Sequence, residues 1–271
     1  MGSEPPLPAA STAPPAEGPP FSAGTKVVMR LAGVRVAFGG KVVLDGLDIE
    51  VRKSEILVVL GRSGAGKSVT LKVICGILRP DAGTVTVFKQ DLLALDERGL
   101  RHLRNKFGYV FQGGALLAWL TAAENIALPL IENDLCAPGE VEARVVAALE
   151  MVDLRDAGPL YPDQMSGGMR KRVSLARAVV TQPYALLYDE PTTGLDPITT
   201  ASIDRLIVAA REKTGVTSVV ISHDLDSAFR IADRVAMLHG GRIIACAPPA
   251  EFRRSTHPEV RRFLEADPAG E

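Results

Sequence analysis

A chain of 271 residues has room for one large α/β domain, or for one domain with an inserted lobe. With 31 Lys+Arg against 32 Asp+Glu, its net charge of -1 lacks the basic excess of a dedicated nucleic-acid binder. Cys75, Cys136 and Cys246 form an odd set without metal-ligand spacing, which excludes a disulfide framework and reads each thiol as a small buried apolar group in a reducing compartment.

Residues 1–25 hold seven prolines, without a basic start or an apolar central region, and read as a disordered tail rather than a signal peptide. No stretch approaches the length of ~18 consecutive apolar residues that a membrane-spanning helix needs. From about Val27 to Val51, apolar and polar residues alternate between glycines, which predicts antiparallel strands. Ile56-Leu57-Val58-Val59-Leu60 is a continuous apolar run and predicts a strand buried on both faces of a parallel sheet. It flows into Gly61-Arg62-Ser63-Gly64-Ala65-Gly66-Lys67-Ser68, a loop of the form GxxxxGK[ST]. The spacing of Val69, Leu71, Val73, Ile74, Ile77 and Leu78 then predicts a helix ending near Gly76 or Arg79-Pro80. Strand, glycine loop and helix make the setting that phosphate binding needs. The glycines let successive backbone N–H groups turn onto phosphate oxygens, Lys67 reaches the β/γ-phosphates, and Ser68 offers a hydroxyl to Mg²⁺.

Tyr109-Val110-Phe111 reads as the end of a strand and is followed by Gln112. About fifty residues of helical character come next, in which Val141, Val145, Val146, Leu149 and Val152 predict an amphipathic helix facing a core. Met165-Ser166-Gly167-Gly168-Met169 precedes a helical stretch from Arg170 to Val180. Ser166 and the two glycines therefore fall at a helix N-terminus, where exposed N–H groups and the dipole attract an anion. The basic runs Arg170-Lys171-Arg172 and Arg253-Arg254 read as solvated helix faces or local ion pairs. Ala185-Leu186-Leu187-Tyr188 predicts a strand ending on Asp189-Glu190, the position at which α/β folds place ligands. Asp189 suits Mg²⁺, which prefers oxygen ligands and keeps several waters, and Glu190 suits polarising a water. A helix after Asp196-Pro197, a strand at Ser218–Ile221 followed by His223, and strands at Val235–Leu238 and Ile243–Ala245 complete the pattern. The alternation predicts a mostly parallel sheet with helices on both faces.

Taken in order, the phosphate loop, Gln112, Met165–Met169, Asp189-Glu190 and His223 resemble the nucleotide-binding subunit of an ABC transporter, from about Met29 to Leu264. The resemblance implies an α/β P-loop NTPase domain over 26–250, with an N-terminal antiparallel β subdomain, a helical subdomain inserted at about 113–180, and a C-terminal helix and tail over 251–271. It implies ATP and Mg²⁺ as cofactors. Phe38 would stack on adenine, and Gly61, Ser63, Gly64, Ala65, Gly66, Lys67, Ser68 and Val69 would hold the phosphates. Ser68, Gln112 and Asp189 would face the metal. Glu190, His223, Gln112 and Lys67 would carry hydrolysis, with Gln112 linking the site to the helical subdomain and His223 bonding the γ-phosphate. Ser166 and Gly168 would contact ATP held by a second copy in a head-to-tail homodimer, with Asp196 in the loop crossing between subunits. The family pattern there begins with Leu and ends with Gln, where this chain has Met165 and Met169. Ser54 and Arg62 stand where glycine and proline are common.

Shorter matches are similar to the ATPase of Mla-type, MCE-associated phospholipid transporters of double-membraned bacteria. They are Phe111-Gln112-Gly113-Gly114-Ala115-Leu116, Met169, Asp196-Pro197-Ile198 and His257-Pro258-Glu259-Val260-Arg261-Arg262-Phe263-Leu264. That implies a peripheral protein on the cytoplasmic face of the inner membrane, with integral-membrane permease subunits and an MCE-domain lipid-binding protein as partners and no nucleic acid. Ala115–Leu120, which includes the only tryptophan, Trp119, lies where the family docks a permease coupling helix. An amino-acid importer, a lipoprotein-release ATPase and a motor transmitting force to a cell-wall or division complex are the alternatives. DNA-repair relatives insert long coiled coils where only about a hundred residues separate the loop and Met165, and translation factors carry two such domains.

Overall fold

A computed structural model describes residues 26–266; the tail read over 1–25 and the last residues, 267–271, lie outside the described residues. The strands β1 (Val27–Phe38) and β2 (Lys41–Arg52) are the antiparallel pair that the alternation predicts. With β4 (Ala82–Val87) and β5 (Gln90–Asp91) they form a four-stranded antiparallel sheet in the order β2-β1-β4-β5.

A second sheet combines β3 (Ile56–Leu60), β6 (Phe107–Val110), β7 (Ala185–Asp189), β8 (Thr217–Ser222), β9 (Arg234–His239) and β10 (Arg242–Ala247). Its order is β10-β9-β3-β8-β7-β6, parallel throughout except for β10, which folds back on β9. The five residues of β3 are fully buried, as their unbroken apolar run requires. Ile56, Val58 and Leu60 face one core, and Leu57 and Val59 face the other. Each such burial contributes roughly 1.5–3 kcal/mol relative to exposure, which fixes the strand that feeds the glycine loop.

Helix α1 (Lys67–Ile74) shares the second core with β1, β2 and β4, and α2 (Glu97–Arg104) adds Leu103 to it. The first core takes α3 (Ala122–Glu132), α4 (Pro138–Met151), α5 (Gly167–Val179), α6 (Pro197–Thr214) and α7 (Leu225–Ile231). The short α8 (Pro249–Phe252) and α9 (Pro258–Glu265) bury Phe252 and Val260 in this same core. Helix α5 crosses β6 at Gly108, where any Cβ would stand 2.2 Å from the Ala178 carbonyl oxygen. The glycine sets how closely the helix approaches the sheet.

Two expectations are corrected. Val146 is exposed: α4 buries Val145, Ala148 and Leu149, and a residue one place along is turned about 100° away from that stripe. Only Cys75 is fully buried, while Cys136 and Cys246 are partly exposed.

Candidate active site

The glycine loop leads from the end of β3 to the start of α1 along a path closed to side chains at two points. A Cβ on Gly61 would stand 2.6 Å from the Leu238 carbonyl oxygen. Gly66, the N-cap of α1, has φ +102°, where side chains are strained. No side chain caps α1 and no acid lies in its first turn, so its leading N–H groups are left for another acceptor. The Lys67 ammonium is buried beneath the loop and donates to the carbonyls of Gly61 at 2.7 Å and Arg62 at 3.2 Å. Burial pulls its pKa below the ordinary lysine value, and Glu190 and Asp189 oppose that fall. Ser63 and Gly64 are exposed, Ala65 and Val69 are half-buried, and Phe38 stands half-exposed at the end of β1.

The end of β7 delivers both acids to this loop. Ser68 donates its hydroxyl to Asp189 Oδ1 at 2.7 Å. The Tyr109 hydroxyl reaches Asp189 Oδ2 at 3.5 Å, and burial, reinforced by that carboxylate, raises the phenol's pKa and keeps it a neutral donor. Glu190 takes a left-handed backbone conformation, φ +49°, with its N–H bonded to the Ile221 carbonyl at 3.0 Å. That conformation costs a non-glycine residue roughly 1–3 kcal/mol, and it turns the side chain back over the phosphate loop.

Four groups converge on the Glu190 carboxylate. Thr193 Oγ1 donates at 3.0 Å and Gln112 Nε2 at 3.2 Å, His223 Nδ1 stands at 3.5 Å and Lys67 Nζ at 3.6 Å. Residues spread across the sequence thus meet around one carboxylate. Their hydroxyl, amide, imidazole and ammonium groups are the kind that bind phosphate and orient water.

Ser166, Gly168 and Asp196 occupy a separate place. Ser166 caps α5 by accepting the Met169 N–H at 3.2 Å, and no acid lies in that helix's first turn. Asp196 caps α6, accepting the N–H groups of Ile198 and Thr199, each at 3.0 Å; its bonds to Thr199 hold its carboxyl below the ordinary aspartate pKa. A surface pocket joins Ser166, Gly168, Leu195 and Asp196, and among the described residues none of the phosphate loop lines it.

The basic run 170–172 is neither a solvated face nor chiefly a set of ion pairs. Arg170 donates to the carbonyls of Pro162 and Met165, and Arg172 to the Val152 carbonyl and the Ser202 hydroxyl. Lys171 is buried and donates to the Gln112 carbonyl and, at 3.4 Å, to the Glu190 carbonyl. At the second run, Arg253 lies 3.8 Å over the Phe229 ring. Periodicity carried the missed signal: Lys171 shares the i, i+3, i+4, i+7 register of the buried Ser174, Leu175 and Ala178. In the apolar run Ala115–Leu120, Leu116, Leu117 and Leu120 are partly buried, Leu116 against the first core, while Trp119 is 73% exposed. Asn125, itself buried, holds that run by binding the Leu117 N–H and the carbonyls of Leu117, Leu120 and Thr121.

Comparison with known proteins places these features in context. The family described as "ABC transporter" matches residues 44–193. A "Methionine import ATP-binding protein MetN 1" from Pseudomonas fluorescens is 39% identical over 83% of this chain and 67% of its own length. A MetN from Brucella abortus is 41% identical over 86% of this chain and 62% of its own. The chain thus spans about two thirds of the length of these relatives. Among solved structures, the dimeric post-hydrolysis state of the ATP-binding cassette MJ0796, bound to ADP and Pi, is 31% identical. It superposes with a TM-score of 0.75 over 82% of this chain and 99% of that one. CbiO1 from Clostridium perfringens, part of the ABC transporter complex cbiONQ, gives a TM-score of 0.79 at 26% identity, over 90% of this chain and 97% of that one.

Proposed function

The chain belongs to the ABC transporter family and is a transport-coupled ATP hydrolase, and we propose that Glu190 activates its water and that phospholipid is its cargo. The convergence of Lys67, Gln112, Thr193 and His223 on the Glu190 carboxylate carries the catalytic reading. In it, the loop N–H groups and the N-terminus of α1 receive the phosphates. Lys67 exchanges its bonds to the Gly61 and Arg62 carbonyls for phosphate oxygens. Phe38, half-exposed at the end of β1, stacks on the adenine. Gln112 and Thr193 orient Glu190 as the general base, and His223 donates to the γ-phosphate, where developing charge needs a fixed partner.

The Ser68 hydroxyl and Asp189 carboxylate, 2.7 Å apart, are hard oxygen donors that suit Mg²⁺, and the side-chain carbonyl of Gln112 would add a third. That ion, when bound, neutralises phosphate charge. Turnover by Glu190→Gln tests this reading. The variant is expected to bind ATP while its turnover falls by at least ~10²-fold, the usual range for a lost general base. Wild-type turnover would refute the assignment.

The phospholipid reading rests on the sequence around Gln112, Met169, Asp196-Pro197-Ile198 and residues 257–264. It places the chain as a homodimer on the cytoplasmic face of the inner membrane, bound to permease subunits and, through them, to an MCE-domain lipid-binding protein. No described helix is long and apolar enough to cross a membrane, so the permease supplies the membrane path. A second reading, import of methionine or another amino acid with a substrate-binding protein, is favoured by the names of the relatives. Co-purification of the chain with its permease, followed by transfer assays in reconstituted vesicles, separates the two. ATP-driven movement of labelled phospholipid supports the first reading, and uptake of amino acid without lipid movement replaces it with the second.

A further inference from the structure

Lys171 is a buried cation on α5 whose partners belong neither to that helix nor to each other's neighbourhood in sequence. Its ammonium donates to the main-chain carbonyl of Gln112, 59 residues away, and to that of Glu190, 19 residues away. The side chains of those two residues meet in turn at 3.2 Å, Gln112 Nε2 donating to Glu190 Oε2. One ammonium thus ties the backbones of two residues whose functional groups touch. A lysine ammonium has three donors and no acceptor, so it serves two carbonyls at once without competing for the carboxylate.

Both tied positions need holding. Glu190 sits at φ +49°, a conformation a side-chain-bearing residue keeps only when its surroundings fix it. Gln112 is exposed and lies in a turn beyond the end of β6, with no sheet ladder to fix it. The same helix grips the next residues, Arg177 donating to the carbonyls of Gly114 at 2.8 Å and Ala115 at 2.7 Å. Five residues before Lys171, the N-terminus of α5 is the Ser166 end.

We infer that Lys171 is a positioning residue that sets the Gln112–Glu190 pair and links it rigidly to the Ser166 end of α5. This rests on the reading of Glu190 as the group that activates water. Displacing a positioned group by about an ångström costs up to ~10²-fold in rate, so a lost tether acts on kcat rather than on ATP binding.

The test is steady-state and single-turnover hydrolysis by the full chain carrying Lys171→Met, Lys171→Gln or Lys171→Arg, each alone and combined with Glu190→Gln. Lys171→Met is expected to lower kcat roughly 10-fold to 100-fold while KM for ATP and nucleotide affinity stay unchanged. Lys171→Arg, which keeps the charge and the donors, recovers most of the rate. On top of Glu190→Gln, Lys171→Met adds no further loss, because the group it positions is already gone. If Lys171→Met does not fold, Lys171→Gln against Lys171→Arg decides the same point, with the arginine variant expected to be the faster. Unchanged kcat in the folded methionine or glutamine variant overturns the proposal, as does a full additional loss in the Glu190→Gln background. Wild-type turnover of Glu190→Gln alone instead removes the reading of Glu190 beneath it, so the two failures are told apart.

Discussion

Two helix N-termini differ from the rest among the described residues. Among the nine described α-helices, only α1 and α5 carry no acid at the N-cap or in the first turn. An acid there satisfies the free N–H groups and the dipole, so its absence leaves the end open to an external anion. What surrounds the two ends then differs. Around α1 the chain supplies a buried lysine, a hydroxyl bonded to Asp189, and Glu190 with its four neighbours. At α5 it supplies Ser166 with its glycines, beside Asp196 in the same surface pocket. One end carries its own chemistry, while the other offers backbone donors and one hydroxyl. The contrast fits what the family resemblance implies, a head-to-tail pair in which the α5 end of one subunit would complete the α1 end of its partner.

Four substitutions sharpen this contrast. The largest effect is expected from Lys67→Ala, which removes charge-assisted bonds to phosphate worth roughly 1.5–3 kcal/mol, or about 10-fold to 100-fold in ATP affinity. Ser166→Arg is expected to leave ATP affinity of the separate subunit unchanged. Isothermal titration with ATP on both variants checks the asymmetry, and equal losses would erase the distinction between the two ends.

Next comes Gly108→Ala, which sets the seat of α5 rather than either anion end. Its new methyl would meet the Ala178 backbone at 2.2 Å and force the helix off β6, costing roughly 1–3 kcal/mol in chemical denaturation. A wild-type midpoint would show that α5 is not held where these contacts put it.

The smallest change in stability is expected at Trp119, whose ring is largely exposed: Trp119→Glu should alter unfolding free energy by no more than ~0.5 kcal/mol. The same substitution is expected to separate ATP turnover from transport when the permease is present. Transport at the wild-type rate per ATP hydrolysed would exclude Trp119 from the coupling surface.

Much of the site is legible in the sequence. The run Ile56–Leu60 is apolar at every position because both its faces are covered, and the glycines after it mark a loop that side chains would block. Ser54, which departs from the family's glycine, has φ +59°, so the departure falls where the backbone favours glycine. There the serine hydroxyl binds the Gly215 carbonyl at 2.7 Å. Harder to read were contacts whose partners are far apart in sequence. The helical register of Lys171 marks it as inward-facing, but only the packing of α5 against β6 shows that Gln112 and Glu190 receive it. Thr193 carries no signal of its own in the sequence, because its bond to Glu190 depends on the turn that β7 makes at its end. Val146 lies one step off the buried stripe of α4, and nothing in its residue type distinguishes it from a valine on that stripe.

The most direct measurement of the central claim mixes two defective chains. Lys67→Ala disables the α1 end and Ser166→Arg disables the α5 end, so neither variant alone is expected to dimerise with ATP. In the mixture, a head-to-tail heterodimer carries both lesions at one composite site and none at the other. Sedimentation of the folded mixture is therefore expected to show an ATP-dependent dimer, accompanied by partial ATPase activity. A mixture that stays monomeric and inactive with ATP, both chains being folded, would contradict the shared site.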